Sequence, residues 1–255
     1  MLAKAATLPA DEVVVDLEDG VAEVDKEAAR AQAAGAVRAG PGRTTALRVN
    51  GRGTPWWEDD LRAAAGARPD VVVLPKVESP DDVAAAAALL PEGTGLEAQI
   101  ETARGLVEVE RIAAAGHGLE ALVFGPADLA ASLGVPVLTI GAGASDYALA
   151  RIAVAARANG LQALDGPHAV LEDEAGLRAS ARRALAHGYD GKWVIHPEQI
   201  APVNEVFTPT DEELARAERI LAAGDGALRH EGELVDLASR RLAEALLARG
   251  RAARR

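Results

Sequence analysis

The chain has no cysteine among its 255 residues, which excludes disulfides, thiolate metal ligands and a cysteine nucleophile. Basic residues are scarce relative to acids, 27 Lys and Arg against 39 Asp and Glu, for a formal charge of -12. That balance argues against nucleic acid or an anionic membrane as the main partner, since both select a basic face. The basic residues gathered at the end, Arg249, Arg251, Arg254 and Arg255, read as a solvated tail. No apolar run is long enough to span a bilayer, and the first residues lack the apolar core of a signal peptide. A cytoplasmic location is the expectation.

What the chain does have is enough apolar material, 49% of its residues, to bury a full core. Seven apolar runs each end in residues that can bind or catalyse, and most lead into a helical stretch. The runs are Val13–Val15, Ala46–Val49, Val71–Leu74, Leu96–Ile100, Ala121–Phe124, Leu161–Leu164 and Trp193–Ile195. Consecutive apolar positions fit strands covered on both faces. Alanine-rich segments between them predict helices near Lys26–Arg38, Asp59–Ala65, Pro80–Leu90, Ala103–Ala115, Ser145–Asn159 and Glu174–His187. Strand and helix in alternation imply right-handed crossovers and a parallel sheet. In a closed barrel of this kind polar residues at the carboxyl ends of the strands carry the chemistry. Such a barrel has eight strands, and Met1–Leu8 reads as the end of a helix with no strand before it. The expected organisation is a catalytic domain over residues 1–207 and a helical extension over 208–255. The extension opens with Pro209-Thr210-Asp211-Glu212-Glu213, whose acids suit the first turn of a helix. It continues through the Gly-rich stretch Gly224–Gly232 and ends in a helix from about Leu237 to Leu247.

The candidate site residues sit at the ends of the apolar runs. Asp16, Glu18 and Asp19 are either part of a site or an acidic loop capping the next helix. Arg48 closes a buried strand and needs an anionic partner, for which its planar fork suits a carboxylate; that partner is a substrate or an internal acid such as Glu18. Lys76, after Leu74-Pro75, has the same two readings. Glu101 and Asp128 lie one strand–helix–strand step apart, which puts two carboxylates within reach of one ion. Two oxygen ligands completed by water and substrate is a common way to hold magnesium, and without a cation the two acids would raise each other's pKa. His196 before Pro197 is more simply a structural histidine than a functional one. Gly141-Ala142-Gly143 lacks the third glycine and the preceding strand of a dinucleotide fingerprint.

Together these motifs resemble the citrate lyase beta-subunit-like group of the HpcH/HpaI aldolase superfamily, which includes malyl-CoA and citramalyl-CoA lyases. The resemblance is carried in order by Val15-Asp16-Leu17-Glu18-Asp19-Gly20-Val21, Leu47-Arg48-Val49-Asn50, Val73-Leu74-Pro75-Lys76-Val77-Glu78 and Ile100-Glu101-Thr102. Phe124-Gly125 with Asp128-Leu129, and Gly191-Lys192-Trp193-Val194-Ile195-His196-Pro197-Glu198-Gln199-Ile200, complete it. The resemblance implies an α/β protein, a (β/α)₈ TIM barrel here apparently lacking its first strand, with a C-terminal helical extension. It implies a magnesium-dependent lyase acting next to a CoA thioester. Glu101 and Asp128 would bind Mg²⁺, Arg48 would hold the carboxylate of a 2-oxo acid, and Lys76, Glu18 and Asp19 would line or support the substrate site. Asp236, in Gly232-Glu233-Leu234-Val235-Asp236, would be the catalytic acid–base group, delivered to a neighbouring subunit of a homotrimer.

The chain departs from the family pattern in three places. The first strand, with its basic residue and Pro-Gly turn for the nucleotide end of CoA, is missing before Met1, so an open barrel edge and weakened CoA binding are expected. Ala127 stands where many relatives have an acid. Ala238 replaces a proline, and Gly224–Glu231 lacks aromatic residues. The leading reading is a CoA-ester lyase. A CoA-independent aldolase on a free 2-oxo acid and a non-catalytic barrel scaffold are the alternatives; Asp236 argues against the first and the intact Arg48, Glu101 and Asp128 against the second.

Overall fold

Seven short parallel strands lie side by side in chain order in the computed structural model, which describes residues 5, 7–40, 43–135, 145–223, 228–230 and 233–253. They are β1 (Glu12–Asp16), β2 (Thr44–Arg48), β3 (Val71–Leu74), β4 (Gly95–Ile100), β5 (Leu119–Phe124), β6 (Gln162–Asp165) and β7 (Gly191–Lys192). Helices return the chain between them: α1 (Lys26–Arg38), α2 (Trp57–Ala67), α3 (Pro80–Ala87), α4 (Ala103–Val107), α5 (Val109–Ala113), α6 (Pro126–Ser132), α7 (Ser145–Ala158) and α8 (Glu174–Ala186). This is a TIM-barrel-like α/β fold with C-terminal helices. The chain divides into two compact units, Met1–Ile200 and Ala201–Arg255.

The sheet curls so that one face becomes an interior. Glu12 of β1 hydrogen-bonds Glu97 of β4, and Arg48 of β2 reaches Gln99 of β4 over the intervening β3. Trp193, just past β7, packs on a core cluster of Ala46, Val71 and Val73, against which Val14 of β1 also lies. The outer face carries Leu47, Val72, Leu74, Leu96, Ala98, Ile100 and Leu122, all buried. Leu61, Val83, Val109, Ile112 and Ile152, on the helices, are likewise buried, and burying each such side chain contributes roughly 1.5–3 kcal/mol.

The clearest differences from the sequence reading lie in β7, in the helix after β4 and in the loop after β5. The seventh strand is only Gly191–Lys192, earlier than the apolar Trp193–Ile195, because among the described residues it pairs with β6 alone. That ladder ends as β6 does, its last bond running from Trp193 N–H to Asp165 O at 2.8 Å. The expected helix Ala103–Ala115 is two helices. Glu108 departs from helical geometry at φ -97° and ψ 5°, and the break lets Leu106 and then Val109 and Ile112 all turn inward. The loop helix α6 was not anticipated; Pro126 at its first position presets the helical φ.

The second unit contains α9 from Ala201 onward (Ile200–Phe207), α10 (Asp211–Ala222), a hairpin of β8 (Leu228–His230) with β9 (Glu233–Val235), and α11 (Leu237–Ala253). Thr210 starts α10 with a reciprocal cap: its hydroxyl accepts Glu213 N–H at 3.2 Å while Glu213 accepts Thr210 N–H at 2.8 Å. Gly250 lets α11 lie against Leu214, since a Cβ there would meet Leu214 Cδ2 at 2.6 Å. Of the Gly-rich stretch, residues 224–227 and 231–232 lie outside the described residues, as do Gly141-Ala142-Gly143, Arg254 and Arg255. Among the described residues no helix is long and apolar enough to cross a membrane.

One interior feature at the amino end of the sheet opposes folding. Burial, then the charge of Glu12, pushes Glu97 up to about 9, and burial pushes Glu12 up to about 7. The folded state therefore holds a proton on Glu97 that the unfolded chain releases near pH 4.5. Its contribution is complete below that pH and is lost as the pH rises toward 9. Glu97→Gln should leave the melting temperature nearly unchanged at acid pH and raise it increasingly from neutral to alkaline pH. A gain that does not grow with pH, in melting curves taken across that range, would contradict the buried neutral carboxyl.

Candidate active site

β1 and β2 pair in register, so their last residues, Asp16 and Arg48, stand side by side at the carboxyl edge. They meet in a two-point fork: Arg48 Nε donates to Asp16 Oδ1 at 2.7 Å and Nη2 to Oδ2 at 2.7 Å. The Asp16 oxygens also accept the backbone N–H groups of Glu18 at 2.8 Å and Gly20 at 3.0 Å. On its other side Arg48 Nη1 faces Glu18 Oε2 at 3.0 Å and Gln99 Oε1 at 3.4 Å, and its guanidinium carbon lies 5.9 Å from the Trp193 ring centre. The Glu18 contact is an ion pair without hydrogen-bond alignment, so Glu18 Oε2 is buried with no hydrogen-bond partner. Burial opposes charge on Asp16, but the bonds from Arg48 outweigh it and hold its pKa below the usual carboxylate value. Arg48 thus has an internal carboxylate partner, as one of its two readings allowed, although the partner on its fork is Asp16. The Nε edge is taken, and a ligand carboxylate can meet Arg48 only at its terminal nitrogens.

Beside this pair stands an acidic cluster from the loop after β1, the end of β4 and the first turn of α6, with Lys76 from the end of β3 among the acids. Glu101, just past β4, is 2% exposed; its Oε1 accepts Lys76 N–H at 2.9 Å and its Oε2 accepts Gln99 Nε2 at 3.3 Å. Gly125 makes room for it, because a Cβ there would overlap Glu101 Cβ and Oε2. Asp128 is not at the strand end itself but in the first turn of α6. Lys76 Nζ bonds Glu18 Oε1 at 2.5 Å and lies 3.6 Å from Asp128 Oδ1 and 3.9 Å from Asp19 Oδ1. Lys76 holds a left-handed backbone at φ 52°, a conformation that costs a non-glycine residue roughly 1–2 kcal/mol and that recurs at functional sites. Burial, then the charges of Glu18 and Asp128, raises Glu101 to about 7. Burial works against the Lys76 ammonium, yet its bond to Glu18 and the surrounding acids keep its pKa above the ordinary lysine value. Burial likewise raises Glu18 despite Lys76 and Arg48.

A buried polar network underlies the two loops. Lys26 Nζ donates to Leu17 O, Glu18 O and Asn50 Oδ1, each at 2.7 Å. Asn50 Nδ2 in turn donates to Asp60 Oδ2 at 2.6 Å, and Arg30 Nε to Asp60 Oδ1 at 2.6 Å. Arg48, Glu18, Asp19, Lys76, Glu101 and Asp128 are therefore brought together. The other strand-end candidates have structural partners: Lys192 Nζ bonds Asp165 Oδ2 at 2.6 Å, and His196 Nδ1 accepts Glu198 N–H at 3.3 Å. Asp236 belongs to the second unit, where it caps α11 by accepting Ser239 N–H at 2.9 Å. Lys26 and Gln99 are not among the sequence candidates, and the place of Asp16 on the fork of Arg48 rests on the register of β1 with β2. Polar residues at alternate positions of Glu97-Ala98-Gln99-Ile100-Glu101 mark Gln99, and nothing in the sequence marks Lys26.

Over residues 1–197 the chain matches the family described as HpcH/HpaI aldolase/citrate lyase, and it belongs to that family. Among its relatives, an L-malyl-CoA/beta-methylmalyl-CoA lyase of Cereibacter sphaeroides is 38% identical, the alignment covering 96% of this chain and 88% of that protein. A (3S)-malyl-CoA thioesterase of the same species is 40% identical over 90% of this chain and 80% of its own length. In structure it is similar to CitE from Mycobacterium tuberculosis in complex with magnesium, acetoacetate and coenzyme A, with a TM-score of 0.82 and 40% identity over 97% of this chain and 91% of that one.

The fork makes a pH-dependent prediction. Pairing lowers the pKa of Asp16, so its stabilisation is present above the ordinary carboxylate range and is lost as the pH falls through the folded value. Asp16→Asn should cost about 1–3 kcal/mol at neutral pH, as expected for a charged hydrogen bond, and the deficit should shrink in acid. Equal urea midpoints at neutral pH would show that the fork does not hold the strand ends.

Proposed function

We propose that the chain is a Mg²⁺-dependent carbon–carbon lyase that cleaves or forms a 3-hydroxyacyl-CoA ester of the malyl-CoA type, yielding an acyl-CoA and a 2-oxo acid. The observation that carries this reading is the juxtaposition, at one carboxyl edge, of the terminal nitrogens of Arg48 with the Glu101 and Asp128 carboxylates. The relatives named for malyl-CoA chemistry and the similar structure holding magnesium and coenzyme A support it. Those names also favour a CoA ester over the free-acid aldolase and scaffold readings.

The residues fit the ion. Gly125 clears space for Glu101, and burial, then the charges of Glu18 and Asp128, raises its pKa, a crowding of acids that a cation would relieve. Among the described residues no three His, Cys, Asp or Glu side chains are grouped to hold a metal, so Glu101 and Asp128 would bind it with water and substrate completing the shell. When bound, Mg²⁺ supplies a Lewis acid for the 2-oxo acid carbonyl. Arg48 then holds the adjacent carboxylate, its direction fixed by Asp16. Lys76, Glu18 and Asp19 flank the substrate, with Lys76 balancing the acids. Asp236 exchanges the proton on the acyl-CoA carbon that gains or loses its bond; its cap to α11 fixes its direction and, through the bonds from Ser239, holds its pKa below the usual value. The reading includes delivery of Asp236 to a neighbouring subunit of a homotrimer and a cytoplasmic setting.

The test is a panel of acyl-CoA esters assayed with and without Mg²⁺. The lyase releases a 2-oxo acid and an acyl-CoA, whereas a thioesterase, favoured by the second relative, releases free CoA and a hydroxy acid. Glu101→Gln should lower the Mg²⁺-dependent rate by on the order of 10²–10³; full activity in that variant with metal still bound would remove the metal site. A mixing experiment addresses Asp236. Asp236→Ala and Arg48→Ala should each be nearly inactive, yet verified mixed oligomers should recover part of the activity. No recovery would place Asp236 in its own subunit's site or outside the mechanism.

A further inference from the structure

Gln99 touches both halves of the site. It lies on the inner face of β4 and is 4% exposed, so solvent offers its amide no alternative partners. Its Oε1 accepts Arg48 Nη1 at 3.4 Å and its Nε2 donates to Glu101 Oε2 at 3.3 Å. The orientation is dictated by chemistry: a guanidinium only donates and a carboxylate only accepts, so the flipped amide would oppose like groups on both sides. The remaining contacts of each partner are tighter. Arg48 is held by Asp16 at 2.7 Å through two nitrogens, and Glu101 by Lys76 N–H at 2.9 Å. Gln99 is thus the slack member between two firmly held assemblies, with both its bonds longer than the usual optimum.

We propose that Gln99 is a positioning residue that couples the two subsites, so that filling the metal half favours filling the carboxylate half. The inference rests on the assignment of Glu101 to the metal and Arg48 to the 2-oxo acid. In a 2-oxo acid the carboxylate and the carbonyl are neighbouring carbons, so the span from Arg48 to the metal ligand must match that short spacing. A single buried amide bonded to both ends sets the span. Because one amide ties both ends, a metal that fixes Glu101 also fixes the span at which Arg48 meets the acid, and the second ligand finds its partners already placed. The sequence carries the corresponding signature: β4 leads Glu97, Gln99 and Glu101 onto one face, and the middle residue's amide is at once a donor and an acceptor.

The test measures Mg²⁺ affinity by titration calorimetry, with and without glyoxylate, on the full chain carrying Gln99→Met or Gln99→Asn. Methionine fills the space without hydrogen bonds, and asparagine keeps the amide but is too short to span both partners. In the parent protein glyoxylate should tighten Mg²⁺ binding. In both variants that tightening should shrink by about fivefold or more, about the worth of one hydrogen bond, and kcat should fall while KM for the acyl-CoA ester holds. Should Gln99→Met fail to fold, Gln99→Asn alone decides. Parent-like coupling in the folded variants, alongside loss of Mg²⁺ binding in Glu101→Gln, overturns the role of Gln99 while leaving the site assignment standing. Unchanged Mg²⁺ binding in Glu101→Gln instead removes the assignment, and this inference with it.

Discussion

The site is organised around one partly buried ion pair. A guanidinium at the end of an apolar strand has no stable place unless a carboxylate meets it, since an uncompensated charge at this depth costs several kcal/mol. In-register pairing of β1 and β2 supplies that carboxylate in Asp16. The same Asp16 oxygens bind the N–H groups of Glu18 and Gly20, so the loop after β1 is set by the partner of Arg48. That loop places Glu18 against Lys76, and Lys76 against Asp128. Three strand ends and the first turn of α6 are thereby linked through a chain of charges that starts from a single fork.

Electrostatics also explains why the cluster is competent for a cation. Glu18, Glu101 and Asp128 crowd one end of a low-dielectric interior, and the Lys76 ammonium only partly offsets them. Such repulsion is affordable because other parts of the fold hold the side chains in place: the Lys26 ammonium on three oxygens, and the missing Cβ at Gly125. These supports lie one step back from the reacting groups and keep them from relaxing apart. The opposite end of the same interior stores a second cost, the Glu12–Glu97 pair, where burial and then the charge of Glu12 push Glu97 up.

Much of this was legible in the sequence, and the failures have physical causes. Helix α1 was placed at its observed limits, and β3 likewise, because a run of four valines and leucines flanked by polar residues admits few alternatives. The site residues from the strand ends were found for the same reason, since a charge that follows an apolar run is conspicuous. Apolar character points to Trp193–Ile195 for β7, whereas its extent is set by how far β6 offers a partner. Which carboxylate holds Arg48 depends on register, and the burial of Lys26 depends on three loops converging; neither is a property of local pattern. Gln99 was overlooked because β4 was read as uniformly apolar, although its alternate positions are polar and face inward.

The central claim is that Glu101 and Asp128 form a metal site directly beside the terminal nitrogens of Arg48. It is tested most directly by a crystal structure with Mn²⁺ in place of Mg²⁺ and a bound 2-oxo acid, locating the ion by its anomalous scattering. The account predicts one Mn²⁺ between the Glu101 and Asp128 carboxylates, with the acid's carboxylate on the terminal nitrogens of Arg48 and the Asp16 fork intact. An ion bound elsewhere, or an acid that displaces Asp16 from Arg48, would contradict it.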